Sequence, residues 1–456
     1  MSFELTLSEL VDVTQGRLVG KDVSFSQLCT DSRNIRPEEV FLALSGENFD
    51  GHLFCQQVVD KGASAIIVEH QLDLPVSQLV VESCHQALGQ IAAFNRERYQ
   101  GSLIAVTGSN GKTTTKEIIA SILAQKGNAL ATIGNLNNDI GVPLTLLRFD
   151  GTQEYSVVEM GANAKGEIAY CTSLAKPDVA LITNAMGAHL EGFGSLQGVV
   201  EAKGEIFQGL PENGTAVLNL DDKNVAQWQA LVAPFKVLTF SLDNSAANVF
   251  ASDVEQLAAG NYRFKLHFKG QIEEITLGLL GLHNVQNALA AAATVFAING
   301  SFDEVVKGIE SAQAVAGRLK AMAGVNQSIV IDDSYNGNPD SVKAGIELLA
   351  KLDGVKVLAL GDMAELGDDE LALHSDIGDY AAAKGVDYLL SSGPKSALAA
   401  KQFASLKGQQ VLAFDGRDEL ISKLKSIMNK DTKVLVKGSL SAGMKQVVSE
   451  LTRGEK

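Results

Sequence analysis

Cysteine is scarce: the 456 residues hold four, Cys29, Cys55, Cys84 and Cys171. They lie far apart and form no C-x-x-C pair, which excludes a zinc ribbon and a dithiol redox centre. Scattered free thiols suit a reducing compartment. No H-E-x-x-H occurs, and sequence order alone supports no Ser-His-Asp arrangement. No apolar run approaches the roughly 18 residues that cross a bilayer. The stretch Ala288 to Ala293 is too short and reads as a closely packed helix. Met1-Ser2-Phe3-Glu4 lacks a basic region followed by an apolar one, so no secretion signal is expected. Positive charge is also in deficit: Lys+Arg 38 against Asp+Glu 54 gives a net charge of −16. That argues against a broad nucleic-acid or membrane surface, but not against a local basic pocket. There is no Pro- or Ser-rich linker, no internal repeat and no low-complexity tract.

With 46% apolar and 20% charged residues, the chain reads as a globular protein long enough for about three domains. In the first region, short apolar runs (Val40–Leu44, Ala65–Val68, Leu79–Val81) alternate with helical patterns (Phe54 to Lys61, Cys84 to Arg98). It also carries two polar clusters, Thr30-Asp31-Ser32-Arg33 and Ser45 to His52. The second region, from about Gly101, has strand candidates at Leu103–Val106, Tyr155–Glu159, Val179–Thr183, Ala216–Leu220 and Lys236–Phe240. Their alternation with helices predicts a largely parallel sheet covered on both faces. Tyr262–Phe268 and Glu274–Leu277 then flank Lys269-Gly270-Gln271 as an antiparallel hairpin. A long helix follows, from about Asn284 to Phe296. The third region, from about Gly317, returns to alternation, with strands expected at Ile329–Ile331, Val355–Leu360, Tyr388–Leu390, Gln410–Ala413 and Val434–Val436. It has no G-x-G-x-x-G after a strand, so a dinucleotide fingerprint is missing. Short joints between the regions are compatible with hinge closure.

The most informative stretch is Ile104 to Thr115. An apolar run enters the turn Thr107-Gly108-Ser109-Asn110-Gly111-Lys112-Thr113-Thr114, and a helical pattern follows. Backbone N–H groups at such a turn, together with a helix N-terminus, form an anion site. Lys112 can reach terminal phosphates and the Thr113 hydroxyl can hold Mg²⁺, which points to ATP or GTP. The usual G-x-x-x-x-G-K-[ST] spacing would place glycine at Val106, so the match is incomplete.

Other groups are weaker alone. Glu159 ends an apolar strand, where a carboxylate either holds Mg²⁺ or is a solvated strand-end acid. His189 follows another strand and suits a metal shell or an ordinary surface. Lys203 is a helix lysine that either faces solvent or, as a CO₂ adduct, becomes an oxygen ligand for a metal. Asn284 and Asn287 share a helix face and either cap the helix or grip a ligand. Arg318 follows an apparent domain joint and suits bidentate phosphate binding. Asp332 and Asp333 follow a strand, as ribose partners or as turn formers. Gly134 to Pro143 is an amide-rich loop containing Asn135, Asn137 and Asn138.

Taken together these motifs resemble the Mur ligases, the ATP-dependent amide-bond formers of peptidoglycan synthesis. The phosphate loop, Glu159-Met160-Gly161, the Asn184 to His189 loop, Ala202 to Ile206, His283 to Asn287, Gly317-Arg318 and Asp332 to Asn336 occur in the family's order. The amide loop with Gly141-Val142-Pro143, and Asp332 to Pro339 with Gly361 to Gly367, are similar to the member that ends the cytoplasmic series. The D-N-P-R motif of the preceding member is absent from the third region.

The resemblance implies an α/β chain of three domains. These are a small N-terminal α/β domain for the UDP end (1–99), a central P-loop ATPase-type parallel sheet with an antiparallel appendage (100–315) and a C-terminal Rossmann-like domain (316–456). It implies that UDP-N-acetylmuramoyl-tripeptide and D-alanyl-D-alanine are joined with ATP and two Mg²⁺ ions, by a cytoplasmic monomer without nucleic-acid or membrane partners. Gly108 to Thr114 would cradle phosphates, with Lys112 neutralising charge. Thr113 and Glu159 would hold one Mg²⁺, and His189 and carbamylated Lys203 would serve the second. Asn284, Arg318 and Asp333 would hold the nucleotide. Ser32, Arg33, Ser45, Asp50, His52, Asn135, Asn137 and Asn138 would bind substrate. Another amide ligase of the family, an ATP-driven conformational switch and a kinase are the competing expectations.

Overall fold

A computed structural model of the chain describes residues 4–46, 48–187 and 190–453. Its main sheets divide the protein into three α/β domains. The first holds five strands in the order Arg17–Val19, Ser77–Val80, Ala65–Val68, Val40–Leu42 and Leu28–Cys29. Helix Cys84–Arg98 packs Leu88 and Ile91 into that core. It also reaches the second domain, where the Asn95 amide donates to the carbonyls of Leu146 (2.9 Å) and Phe149 (3.1 Å).

The central sheet has nine strands, in the order Ala129–Ala131, Tyr155–Glu159, Ser102–Thr107, Val179–Ile182, Thr215–Asn219, Lys236–Ser241, Val249–Gln256, Asn261–Phe268 and Gln271–Leu280. The first seven run parallel; the last two pairings are antiparallel. Apolar side chains alternate between the faces because successive strand residues point opposite ways. Ile104, Val106, Val157 and Leu181 join one core, beneath helices Lys112–Lys126 and Leu282–Ala297. Leu103, Ala105, Val158 and Ile182 join the other, against Glu167–Ala175 and Leu196–Gly204. The alanine-rich stretch 288–293, five alanines and Leu289, is buried throughout, which lets its helix lie close to the sheet.

The hairpin is an extension of this same sheet. Strand Val249–Gln256 joins it to the parallel strands, and it escapes a period-two reading because a bulge at Asp253 (φ +51°) shifts the register between Ser252 and Glu255. The turn itself is two residues long, Lys269 and Gly270 at φ +48° and +79°, with Gln271 already paired to Phe268.

The third sheet runs Lys320–Ala323, Ile329–Asp333, Thr432–Lys437, Val355–Gly361, Tyr388–Ser392 and Leu412–Phe414. Only its first pair is antiparallel. The last strand begins two residues beyond the expected Gln410. Both larger sheets reverse strand order beside their first strands. In open α/β sheets the crevice at such a switch point, beyond the carboxyl ends, collects ligands. Among the described residues no helix is long and apolar enough to cross a membrane.

Candidate active site

The turn after Ser102–Thr107 is held from behind by the next parallel strand. Ser109 N–H donates to the Asn184 carbonyl and Asn110 N–H to its side-chain oxygen, both at 2.9 Å. The Thr183 hydroxyl donates to the Asn110 carbonyl at 2.7 Å. Gly111 caps helix Lys112–Lys126 at φ +82°, and a Cβ there would strike the Asn287 side chain. The first N–H groups of that helix have no acceptor within it and face the cleft as anion donors. Lys112 folds back over the turn, donating to the carbonyls of Gly108 (2.6 Å) and Ser109 (3.3 Å). Burial lowers its pKa; Glu159 opposes that shift and Arg318 adds to it.

Sheet register sets Glu159 opposite Val106, one residue before the turn's threonine. The Thr113 hydroxyl (3.2 Å) and the Asn137 amide (2.8 Å) both donate to its Oε1. Its Oε2 is buried and, among the described residues, has no hydrogen-bond partner. Leaving a carboxylate oxygen dry and unpaired is costly, so this position fits a cation. Thr113 and Glu159 are therefore a suitable hard-oxygen pair for Mg²⁺.

Lys203 lies on helix Leu196–Gly204, which Ser195 caps through the Gly198 N–H. Its side chain is 1% exposed, with the amine 5.2 Å from the centre of the Phe193 ring. Burial and, secondly, the Lys112 charge push its pKa down to about 7, against the pull of Glu167 and Glu205. Much of it is then the neutral amine near pH 7, the form that can add CO₂. His189 lies outside the described residues.

The third domain closes the cleft. The Asn338 amide donates to Asn110 Oδ1 at 2.9 Å, a direct bridge from its helix cap to the phosphate loop. The Arg318 guanidinium lies 4.2 Å from the Tyr335 ring centre. Asp333 and Lys437 are register partners on adjacent strands and form a buried ion pair of 2.5 Å. Lys437 also donates to the Asn336 carbonyl at 3.1 Å. Burial lowers the Lys437 pKa, and Asp333 opposes the shift. Asp332 serves neighbouring loop groups instead, accepting from the N–H groups of Gly317 (2.8 Å) and Ser334 (3.2 Å) and from the Ser334 hydroxyl (2.6 Å).

Two adjoining clefts result. One of about 670 Å³ is lined by residues 109–114, Arg318, Asn336 to Asn338 and Glu365. The other, about 790 Å³, runs from Gly111 past Asn284, Arg318 and Asp333 to Lys437. Asn284 is a wall of the second, but its amide donates to the Leu280 carbonyl (2.7 Å) and accepts from Asn287 (2.7 Å). Lys437 was not singled out in the sequence. The available signal was a charge ending an apolar parallel strand, the position Glu159 occupies in the central sheet.

The remaining predicted residues form separate groups. In the first domain His52 Nε2 accepts from Glu69 N–H at 2.9 Å, so Nδ1 carries the proton and donates to Asp50 at 2.7 Å. Ser45 donates to the same carboxylate at 3.0 Å. Arg33 makes a two-pronged contact to Asp31 (2.9 and 2.8 Å), which holds that acid at a pKa of about 2. The Ser32 carbonyl accepts from Lys61. In the amide loop Asn137 joins Glu159, Asn138 Oδ1 accepts from Gly141 N–H (2.9 Å), and the Asn135 side chain is exposed.

Three family descriptions match in sequence: the Mur ligase family catalytic domain over 24–96, the middle domain over 106–295 and the glutamate ligase domain over 317–440. UDP-N-acetylmuramoyl-tripeptide–D-alanyl-D-alanine ligase of Escherichia coli K12 is 42% identical over 449 residues, covering 98% of both chains. A crystal structure of MurF from Acinetobacter baumannii superimposes with a TM-score of 0.91 at 36% identity, covering 99% of each. MurF from Thermotoga maritima in complex with ADP gives 0.79 at 26% identity, over 93% of this chain and 96% of that one.

Asp333→Asn leaves the Lys437 cation buried without its counter-charge. It is expected to destabilise the third domain by about 3 kcal/mol. Asp333→Asn combined with Lys437→Met should recover most of that loss, as read from urea unfolding of each variant.

Proposed function

The chain belongs to the Mur ligase family, and we propose that the cleft between its second and third domains is where ATP activates a peptide carboxylate. It is an ATP-dependent, ADP-forming ligase that joins D-alanyl-D-alanine to UDP-N-acetylmuramoyl-tripeptide in peptidoglycan synthesis. The observation that carries the site assignment is the buried Glu159 oxygen beside the phosphate loop, which has no hydrogen-bond partner among the described residues.

A carboxylate is a poor acylating agent because its leaving group would be oxide. Transfer of the γ-phosphoryl group gives an acyl phosphate, whose leaving group is phosphate; attack by the dipeptide amine then yields the amide. The chain's task is to position groups and to stabilise spreading phosphate charge. Residues 108–114 cradle the phosphates and Lys112 leaves its carbonyl partners for the transferring group. Thr113 and Glu159 would hold one Mg²⁺. The neutral Lys203 amine adds to CO₂, forming an N–C bond and losing one proton; with His189 it would serve a second ion. Bound Mg²⁺ supplies positive charge to the phosphate oxygens. Arg318 and Asp333 hold the nucleotide from the third domain, and closure excludes water that would hydrolyse the acyl phosphate. Asn284 supports this nucleotide wall.

We assign Ser32, Arg33, Ser45, Asp50 and His52 to the UDP end of the substrate, and Asn135, Asn137 and Asn138 to its peptide. We place the domain boundaries at 99/100 and 315/316, and read the protein as a cytoplasmic monomer.

Phosphate release should require ATP, Mg²⁺, UDP-tripeptide and D-alanyl-D-alanine together, in an assay omitting one component at a time. Release without an amine acceptor would instead support an ATP-hydrolysing switch, and release driven by another amine a different family member. Lys203→Ala should be nearly inactive and partly rescued by short carboxylic acids that replace the carbamate; full activity without them would remove Lys203 from the site.

A further inference from the structure

One buried cation takes no part in the mechanism above. Lys116 lies on helix Lys112–Lys126, one turn beyond Thr113, and is 1% exposed. The helix buries Thr115, Ile118, Ile119, Ile122 and Leu123 as well. The ion-pair partner of Lys116 is the adjacent Glu117, whose side chain is 41% exposed. Replacing a buried ion pair by apolar side chains is often neutral or stabilising, so stability alone does not call for a charge here. Besides pairing with Glu117, the ammonium donates to the Thr132 carbonyl at 2.8 Å.

Thr132 is the residue at which the chain leaves the sheet. Strand Ala129–Ala131 pairs in parallel with Tyr155–Glu159, with Ala131 opposite Val157. A parallel ladder joins each bonded residue to two residues of its partner strand, one through its N–H and one through its carbonyl. Thr132 keeps the first of these bonds: its N–H donates to the Val157 carbonyl at 3.1 Å. The second would run from the Glu159 N–H to the Thr132 carbonyl. Lys116 has taken that carbonyl, and the Glu159 N–H donates to the Thr132 hydroxyl instead, at 3.0 Å. The ladder stops here with carbonyl, hydroxyl and N–H all paired, and the amide loop begins. The loop then returns to the same strand end. Gly161 N–H donates to the Asn137 carbonyl at 2.7 Å, and the Asn137 amide reaches Glu159 Oε1.

We propose that Lys116 is a positioning residue for the peptide substrate. By drawing the Thr132 carbonyl out of the ladder it turns the chain off the sheet, and that turn sets where the loop presents Asn135, Asn137 and Asn138. The inference rests on the assignment of this loop to the peptide. Without the ammonium, the Thr132 carbonyl is free to close on the Glu159 N–H. That continues the strand by one step and pulls the root of the loop back onto the sheet. The fold loses little, since carbonyl and N–H stay paired and Glu117 is open to water, but the loop loses its place. The phosphate turn is held by Thr183 and Asn184 on another strand and does not depend on this junction.

The test uses the full chain at saturating Mg²⁺ and the variant Lys116→Met, which keeps the length of the side chain and removes its charge. Hydrogen exchange should quicken in peptides spanning 133–141 and 160–162, with the rest of the central domain at the wild-type rate. KM for UDP-tripeptide should rise by about tenfold, the scale of a lost hydrogen bond, while KM for ATP stays at the wild-type value. Lys116→Arg keeps a donor and should recover most of the tripeptide KM. Thr132→Val removes the substitute hydroxyl, sends the carbonyl back to the Glu159 N–H, and should produce the same selective rise. Unchanged loop exchange in Lys116→Met would overturn the proposal, as would failure of that variant to fold. An equal rise in both KM values would also overturn it, because Lys116 would then support the whole helix. Faster loop exchange with an unchanged tripeptide KM would remove the loop from the peptide site, and this inference with it.

Discussion

Removal of cations from water, with a smaller contribution from their mutual repulsion, is the constraint on which this site depends. On a chain of net charge −16, Lys112, Lys203, Arg318 and Lys437 gather around one interdomain region. Lys112 depresses the pKa of Lys203, and Arg318 depresses those of Lys112 and Lys437, in each case on top of desolvation. Carboxylates work against this: Glu159 at Lys112, Asp333 at Lys437, and Glu167 with Glu205 at Lys203. Like charges held close in a dry site are poised for an anion, and a triphosphate brings several negative charges at once. On the proposed site assignment, the nucleotide is both substrate and counter-charge. In that reading it meets cations from both domains, Lys112 from the second and Arg318 from the third.

The geometry that permits this comes from two parallel sheets facing each other. Each ends apolar strands in a charge at the carboxyl edge: Glu159 in the central sheet, Asp333 and Lys437 in the third. Strands buried on both faces fix those end residues tightly. The phosphate loop adds backbone donors, and Asn338 bridges directly to Asn110. The reactive groups therefore sit on, or directly beside, regular elements of the two sheets.

Much of this was legible in the residues. The apolar run before Gly108, the helix after Lys112 and the acid ending Tyr155–Glu159 follow from strand and helix periodicity alone. Other features depend on contacts that no local pattern records. Strand Val249–Gln256 is hidden by the bulge at Asp253. The Asp333–Lys437 pair spans residues 104 apart in sequence. Asn137, read as a substrate residue, also donates to Glu159, and Asn284, read as a nucleotide ligand, has its amide tied to Leu280 and Asn287. Lys203 looks like any helix lysine until burial and the nearby Lys112 lower its pKa to about 7. Pattern reports which side chains are apolar, whereas the value of a charge depends on what surrounds it.

The central claim is that this cationic cleft transfers the terminal phosphoryl group of ATP onto a peptide carboxylate. Oxygen-18 in the terminal carboxylate of the UDP-tripeptide tests it most directly. One labelled oxygen per turnover should appear in the released inorganic phosphate when D-alanyl-D-alanine is the acceptor. Phosphate free of label, with both labelled oxygens still in the peptide-derived products, would contradict it.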